Sequence, residues 1–203
     1  MKLILGIFLI SFNAWLIADS TLDGAKLTQQ YCSECHGKDG NSQKENIPKI
    51  AGFSSILLFD ILDQFKNGDR PSPKTTINNK TTDMTEVSKL LTQDQIETIS
   101  LYLSTQTFKP TTQPFNQALA GIGKQLHQDL CKDCHGDNGK SAVDDAPILA
   151  GQWKQYLKQQ FENLSSHKRY MPKRMKRKFK KLNDKDKQAL IEFYASPKIQ
   201  LKY

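Results

Sequence analysis

The same five-residue pattern occurs twice in this chain of 203 residues, as CSECH at 32–36 and CKDCH at 131–135. Cys-x-x-Cys-His is the pattern through which c-type haem is covalently attached. Two cysteines three residues apart lie on one turn of the chain, so both thiols can reach one porphyrin edge, and the adjoining histidine can point at the iron. The repeat therefore predicts two covalently bound haem c groups, one on Cys32 and Cys35 and one on Cys131 and Cys134.

Zinc sites and isolated disulfides are the alternative interpretations of paired cysteines. A zinc site would have to join two pairs that are 99 residues apart, and it would leave His36 and His135 without a role. All four cysteines of the chain belong to the two motifs, so none is left for a further structural disulfide. The pattern thus favours haem over both alternatives.

Residues 1–18 have the features of a secretory signal, with Lys2 followed by an apolar run from Leu3 to Phe12. We predict cleavage after Ala18 and export to the periplasm, which agrees with haem attachment outside the cytoplasm. Leu16 is larger than the usual residue three positions before a cleavage site, so an uncleaved membrane anchor is the alternative. The apolar run is short for a membrane span, and no later segment is apolar enough to form one.

The two halves of the chain align without gaps at a constant offset of 99 residues. Besides the motifs, the coinciding positions are Gly24, Leu27, Gly37, Gly40, Ser42, Pro48, Ala51 and Gly52 with Gly123, Leu126, Gly136, Gly139, Ser141, Pro147, Ala150 and Gly151. Self-similarity of this length indicates a duplicated domain. We predict domain 1 at residues 19–107, a proline-containing linker at 108–116 and domain 2 at 117–203.

Each half is predicted to be helical. Thr92 and Gln95 form the start of a capping box, and apolar residues follow at helical spacing. Asn183 precedes the matching helix of the second half. No stretch alternates convincingly as a strand, so the expected fold class is all-α. Because 37% hydrophobic residues is a modest fraction, we expect haem to supply much of each core and the haem-free chain to fold poorly.

Each haem iron needs a sixth ligand besides its histidine. Met84 and Met175 each stand seven residues before a leucine that leads into the capped helix, so they are equivalent in the repeat. We predict His36 with Met84, and His135 with Met175, as axial ligands of the iron; Met171 is the alternative to Met175. Histidine–methionine ligation saturates the iron and raises its potential, which favours electron transfer over peroxide chemistry.

Two prolines and two further histidines complete the candidate site residues. Pro48 and Pro147 each follow their motif histidine by twelve residues, and a carbonyl there could accept the Nδ1–H of that histidine. A loop proline without this role is the alternative. We expect His127 and His167 on the surface rather than at the iron.

The net charge of +8 is unevenly distributed. Residues 1–110 carry 11 basic and 12 acidic side chains, whereas residues 111–203 carry 18 and 9. Nine basic residues and no acidic ones lie in residues 168–181, around Met175. Such a run is often merely solvated. As a docking surface it would attract an acidic redox partner or an oxidase, and an anionic lipid surface is a third interpretation. Nucleic acid is not an expected partner of an exported haem protein.

The sequence resembles the two-haem cytochrome c4 family over nearly all of the predicted mature chain. The resemblance rests on the doubled haem motif, on the Pro-x-x-Ala-Gly elements at 48–52 and 147–151, and on the methionine that precedes each capped helix. It implies two tandem class-I cytochrome c domains related by a pseudo-twofold axis. It also implies His36/Met84 and His135/Met175 ligation, with the Pro48 and Pro147 carbonyls holding the histidines.

Within that family the second half is similar to the cytochrome subunit of flavocytochrome c sulfide dehydrogenase. The similar segments are 114–120, 148–153 and 171–175. This similarity implies a periplasmic subunit without catalysis of its own, which accepts single electrons from a flavoprotein that oxidises sulfide. A free-standing cytochrome c4 carrier that delivers electrons to a terminal oxidase is the alternative. A dihaem peroxidase, which needs one open iron, is a third hypothesis.

Overall fold

The computed structural model of the chain describes residues 23–196, and the predicted signal at 1–18 lies outside them. The described part contains two helical halves and a connection without regular structure. The first half has α1 (Gly24–Tyr31), α2 (Ser33–His36), α3 (Ser55–Asn67), β1 (Thr75–Ile77), β2 (Lys80–Thr82), α4 (Met84–Lys89) and α5 (Gln93–Ser104). The second half has α6 (Gln117–Leu130), α7 (Gly136–Gly139), α8 (Lys154–Ser165), α9 (Lys173–Phe179) and α10 (Asp184–Tyr194).

Side-chain caps fix where the main helices begin. Thr92 and Gln95 form the predicted capping box at the start of α5, each side chain accepting the other's backbone N–H. Asn183 and Asp186 do the same for α10. Because these caps satisfy backbone donors that would otherwise lack partners, both helices start where the sequence analysis predicted.

In each half the first and last helices cross at a glycine. A Cβ on Gly24 of α1 would lie 2.6 Å from Tyr102 Cβ of α5, and a Cβ on Gly123 of α6 would lie 2.1 Å from the carbonyl oxygen of Ala189 in α10. Any side chain would therefore push the helices apart. Glycine at this equivalent position lets the two backbones approach closely in both halves.

Two separate apolar clusters form the interior. The first contains Leu58, Ile96, Ile99 and Leu103, and Ile148 of the second half packs into it. The second contains Leu157, Leu182, Leu190, Ile191, Phe193 and Tyr194. The all-α fold class is thus confirmed, with one small addition that the sequence analysis missed.

That addition is a two-stranded antiparallel hairpin in the loop before Met84. Strands β1 and β2 pair Thr75 with Thr82 and Ile77 with Lys80. Asn78 and Asn79 form the turn with φ of 49° and 63°, the left-handed values that asparagine tolerates better than most residues. The strands are only three residues long, so no alternation was visible in the sequence.

The sequence repeat is also a repeat of backbone hydrogen bonds. Gly52 N donates to the carbonyl of Leu103 (3.0 Å), and Gly151 N donates to that of Tyr194 (2.8 Å). Both glycines have a positive φ, 69° and 82°, which L-residues with side chains rarely adopt. Each bond ties the loop after the haem motif to the end of the last helix of its half.

The halves are joined by direct hydrogen bonds at a buried boundary. The fully buried amide of Gln152 accepts from Lys49 N (3.0 Å) and donates to Lys49 O (2.6 Å). Trp153 Nε1 donates to Ser42 O (3.0 Å), and Tyr156 N donates to Glu45 O (3.1 Å). Since these bonds satisfy buried backbone groups, they hold the halves in one arrangement.

Within residues 23–196, no helix is long and apolar enough to cross a membrane.

We expect Gly123→Ala to destabilise the haem-loaded protein by about 1–3 kcal/mol, because α6 and α10 must separate to admit the methyl group. Gly121→Ala in the same helix is the matched control, since a Cβ there meets nothing within 4 Å. Removing that glycine should leave stability unchanged or raise it by up to about 1 kcal/mol. Denaturant unfolding of both variants checks this, and equal stabilities would contradict the close crossing.

Candidate haem sites

The first motif begins where α1 ends and forms one helical turn. His36 N donates to Cys32 O (2.9 Å), so the cysteines and the histidine lie on a single turn. The His36 ring is buried, and its Nδ1 lies 2.9 Å from the carbonyl oxygen of Pro48. Burial lowers the pKa of His36, which favours the neutral ring that can bind a metal through Nε2. The Pro48 contact therefore fixes the ring orientation that the sequence analysis predicted.

The second motif has the same turn in a looser form. His135 N donates to Cys131 O (3.0 Å). The Nδ1 atom of His135 is buried without a hydrogen-bond partner. Burial lowers the pKa of His135, and the nearby Pro147 carbonyl opposes this lowering in part. The two groups nevertheless do not reach the geometry of a hydrogen bond. A role for Pro147 in holding this ring therefore stays a prediction.

Both motifs open into apolar cavities. Cys32, Cys35, His36 and Met84 line the cavity of the first half together with apolar side chains, among them Leu58, Leu62, Ile99 and Leu103. Cys131, Cys134, His135 and Met175 line the cavity of the second half with Leu157, Phe161, Leu182 and Leu190. Each cavity thus brings together the four side chains that the repeat predicted.

The second cavity distinguishes the two methionine candidates of that half. Met175 is among the residues that line the cavity, whereas Met171 is not, although Tyr170 and Pro172 on either side of it are. Met175 is the first-turn residue of α9 that corresponds to Met84 at the start of α4. This placement supports Met175, and its role as iron ligand stays a prediction.

The cysteines do not have the surroundings of a redox dithiol or a zinc site. Burial raises the pKa of the Cys32 thiol to about 12, and burial also raises the pKa of Cys131. Reactive cysteines have lowered values instead. Across residues 23–196, no group of three or more His, Cys, Asp or Glu side chains is arranged to hold a metal ion. Half-buried cysteines beside an apolar cavity agree with thioether attachment of haem.

Two arginines that the sequence analysis did not single out lie at the boundary of the cavities. Arg70 and Arg169 are equivalent at the offset of 99 residues, and the side chain of Arg70 is only 6% exposed. Arg70 lines both cavities, together with Tyr156 and Gln160, and Arg169 lines the second cavity. Arg169 donates to Gln160 Oε1 (2.9 Å). The shared lining residues show that the cavities are neighbours.

Neither arginine has an acidic partner within the described chain. None of the ion pairs in residues 23–196 involves Arg70 or Arg169. Burial, followed by the positive charge of Arg70, lowers the pKa of Arg169 to about 10. Burying a cation without an anion costs several kcal/mol. The two propionates on each haem are anions of the required kind, so the donor set fits haem in both cavities.

The prediction that His127 lies on the surface was wrong. His127 is fully buried in α6, and its Nδ1 lies 3.0 Å from the hydroxyl of Tyr194. Burial lowers its pKa to about 4, so the ring is neutral at pH 7. At the offset of 99 it corresponds to Thr28, which is buried in α1. This equivalence with Thr28 was the signal in the sequence that could have indicated burial of His127. His167 is exposed, as predicted.

The basic segment, residues 168–181, lies mainly on the outside. Lys173, Arg174, Lys176 and Arg177 of α9 are all exposed. Arg169 is the exception, because it turns towards the second cavity. Arg174 and Lys178 also line the entrance of that cavity. Three cations of the basic segment therefore lie at the second haem cavity, and the others lie on the exposed surface of α9 and the turns beside it.

The comparisons with known families cover both halves separately. The family model for cytochrome c matches residues 22–107, and the model for subunit III of cbb3-type cytochrome c oxidase matches residues 118–193. The chain is 30% identical over 138 residues to cytochrome c4 of Azotobacter vinelandii, which covers 64% of this chain and 65% of that protein. The alignment thus spans somewhat less than two thirds of the relative.

Two further similarities extend over more of the chain. It is 24% identical over 189 residues to the thiosulfate dehydrogenase electron acceptor of Stutzerimonas stutzeri, covering 87% of this chain and 83% of that one. The crystal structure of reduced cytochrome c4 from Pseudomonas stutzeri superposes with a TM-score of 0.69 at 29% identity, covering 85% of this chain and 95% of that one. Each half thus matches a cytochrome family model, and the chain is similar to cytochrome c4 in sequence and in fold.

Proposed function

We propose that this protein is a dihaem electron-transfer protein that works outside the cytoplasm and has no catalysis of its own. The observation that carries the proposal is the pair of neighbouring apolar cavities, each lined by a Cys-x-x-Cys-His motif and a methionine. When bound, each haem supplies one-electron chemistry between ferric and ferrous iron. With Met84 and Met175 as iron ligands, no coordination position would remain for a substrate, and the chemistry would be electron exchange alone.

The protein side chains would hold the haems in three ways. The motif cysteines would attach each haem covalently, and His36 with Met84 and His135 with Met175 would bind the irons. The leucine and isoleucine side chains of the cavities would exclude water from the haem, which would favour the less charged ferrous state. Arg70 and Arg169 would neutralise the propionates at the boundary between the cavities.

The shared boundary gives the protein a route between its two sites. Arg70, Tyr156 and Gln160 line both cavities, so one layer of side chains separates them. The Gln152–Lys49 hydrogen bonds join the two halves at the same boundary. Electrons that enter one half can therefore leave through the other.

Two donor systems are consistent with the similarities, and both oxidise inorganic sulfur. The similarity to a thiosulfate dehydrogenase electron acceptor, which covers 87% of this chain, supports a thiosulfate-oxidising donor. The flavoprotein sulfide dehydrogenase stays a prediction from the sequence resemblance. The match to an oxidase subunit supports a terminal oxidase as acceptor of a free-standing carrier. To distinguish these donors, thiosulfate and sulfide are added separately to a periplasmic extract, and haem reduction is compared with that in an extract that receives neither.

The methionine assignments predict a closed iron in each half. We expect the ferric wild-type protein to take up two electrons per chain, and the ferrous protein that results to stay inert to carbon monoxide. Met84→Leu and Met175→Leu, which keep volume but cannot ligate, should each make one haem bind carbon monoxide. Absorption spectra of the reduced proteins measure this.

Met171→Leu is the matched control in the second half and should leave the spectrum unchanged. Carbon monoxide binding in Met171→Leu but not in Met175→Leu would reassign the ligand. Ready binding to the wild-type protein would favour the peroxidase hypothesis over electron transfer.

We expect Arg70→Gln and Arg169→Gln to lower haem midpoint potentials by tens of millivolts. Removing a positive charge stabilises the more positive ferric state, and charges about 10 Å apart interact by roughly 1.7 kcal/mol at an effective dielectric constant of about 20. Arg70→Gln should shift both haems, because Arg70 lines both cavities. Spectroelectrochemical titration checks the shifts. The exposed Arg177→Gln is the control, and an equal effect there would show that the buried positions have no special role.

Charge reversal on α9 should slow electron delivery to an acidic acceptor. We expect the quadruple substitution of Lys173, Arg174, Lys176 and Arg177 by Glu to lower the second-order rate at low salt by at least tenfold and to flatten its salt dependence. The control makes the same change in net charge by replacing four dispersed exposed lysines by Glu, namely Lys26, Lys80, Lys89 and Lys185. Stopped-flow oxidation over a salt series compares them. Equal slowing in both variants would mean that net charge alone matters.

A further inference from the structure

The middle of each haem motif contains one acidic residue, and the two are covered in different ways. Glu34 stands between Cys32 and Cys35, and Asp133 stands between Cys131 and Cys134, at the offset of 99 residues. Because the thioethers form from these cysteines, the acidic residue marks the haem edge on the motif side. What lies over it decides whether a partner can approach that edge.

In the first half the hairpin β1–β2 covers this position. The amide of Asn78, at the hairpin turn, donates a hydrogen bond to the Glu34 carboxylate. Thr75 and Thr82, at the base of the strands, line the haem cavity. The hairpin therefore extends from the side of Met84 across to the motif, and it adds a layer of protein at that edge.

Several polar contacts hold the hairpin in place. Lys74 bridges Asp83 (3.1 Å) and Glu86 at its base. The hydroxyls of Thr76 and Thr81 are 2.8 Å apart across the strands. Surface ion pairs contribute little on their own, but here they combine with strand pairing and with the contact at the turn.

The second half, as far as residue 196, has no counterpart of the hairpin. Eleven positions separate Pro73 from Met84, but only three separate the equivalent Pro172 from Met175. Asp133 is instead approached by Arg174 and Lys178 of α9, both at 3.9 Å. The Arg174 side chain is 66% exposed, so this pair is weak and a carboxylate from outside can replace it.

The surroundings of the second edge have the composition of a docking surface. Tyr170, which lines the cavity entrance, is 68% exposed. Val143 is 86% exposed and takes the position of Lys44, which in the first half donates to the carbonyl of Glu34. Exposed apolar groups beside the five cations of α9 fit a partner with an apolar contact patch and acidic residues at its border.

We infer that the hairpin closes the motif edge of the first haem, and that the second haem edge is the docking site for an acidic redox protein. The inference rests on the proposed electron-transfer function. This arrangement gives electron transfer a fixed route through the chain, because the first haem then exchanges electrons with that partner by way of the second haem. The acidic partner contacts α9, and its carboxylates take the place of Asp133.

The first experiment measures edge accessibility without any electron transfer. A neutral gadolinium chelate is added to the oxidised holoprotein, and broadening of the haem methyl NMR signals is recorded. We expect at least threefold stronger broadening for the methyls of the second haem than for those of the first. Equal broadening would overturn the closed edge, whatever the fate of the electron-transfer proposal.

A deletion tests whether the hairpin causes the difference. Removal of residues 74–81 gives the first half the loop length of the second, and it should raise broadening of the first haem to the level of the second. If this variant fails to fold, Asn78→Ala with Glu34→Ala replaces it, since the pair detaches the turn and leaves the strands intact. Continued protection of the first haem in the folded variant would overturn the role of the hairpin.

Anionic probes test the docking site. Hexacyanochromate(III), a paramagnetic trivalent anion, should broaden the second haem, and a deca-glutamate peptide should compete with it. Arg174→Glu with Lys178→Glu should abolish both effects while the neutral chelate still reaches the haem. If the double variant keeps both the broadening by the anion and the competition by the peptide, the proposed docking site is wrong. Binding to phosphatidylglycerol vesicles without competition by the peptide would overturn the protein partner in favour of an anionic lipid surface.

Discussion

The rest of the structure depends on the way each half packs its helices around a haem cavity rather than around a continuous protein core. Leu58, Ile99 and Leu103 are buried by neighbouring side chains, and Leu62 and Phe53 also face the cavity of the first half. The glycine crossings of α1 with α5 and of α6 with α10 bring the outer helices close enough to close the cavity from behind. Without haem these apolar faces would remain in contact with water, so folding and haem attachment are thermodynamically linked.

The boundary between the halves continues directly from the iron ligand of the first half. His36 is oriented by the carbonyl of Pro48, and the next residue, Lys49, exchanges two hydrogen bonds with the buried amide of Gln152. A shift of the second half would therefore move the loop that orients His36. The same boundary contains Arg70 and Arg169, so the contacts between the halves also position cations beside the haem cavities. The two halves are therefore joined into one structural unit by buried polar contacts.

The sequence predicted those features that depend on residues with few alternatives. Cysteine and histidine at fixed spacing, the equivalence of Met84 with Met175, and the capping boxes at Thr92 and Asn183 led directly to the helices and the cavities that the structure contains. These are local patterns with one physical interpretation each, and the offset of 99 residues provided an independent check.

The features that the sequence did not predict depend on tertiary contacts. Burial of His127 follows from the position of Tyr194, 67 residues further along the chain, and from the packing of α6 against α10. The inward direction of Arg169 within a run of exposed cations follows from its partner Gln160 on α8. The hairpin was hidden because three-residue strands are too short to alternate, although Asn-Asn between Thr-rich segments is a turn signal. In each case local composition indicated a solvated residue, and packing decided otherwise.

The two halves differ mainly in the residues around the motif edges of their haem sites. The cysteines, the histidines and the glycine crossings coincide, and so do the buried arginines. The residues around the motif edges do not: α4 contains one acidic and one basic side chain, whereas α9 contains five basic ones and no acid. The two halves therefore share the haem motif and the close crossing of their helices, but they surround the motif with different charge. The duplication thus kept the haem motifs and changed the electrostatic surroundings in which each of them meets a charged partner.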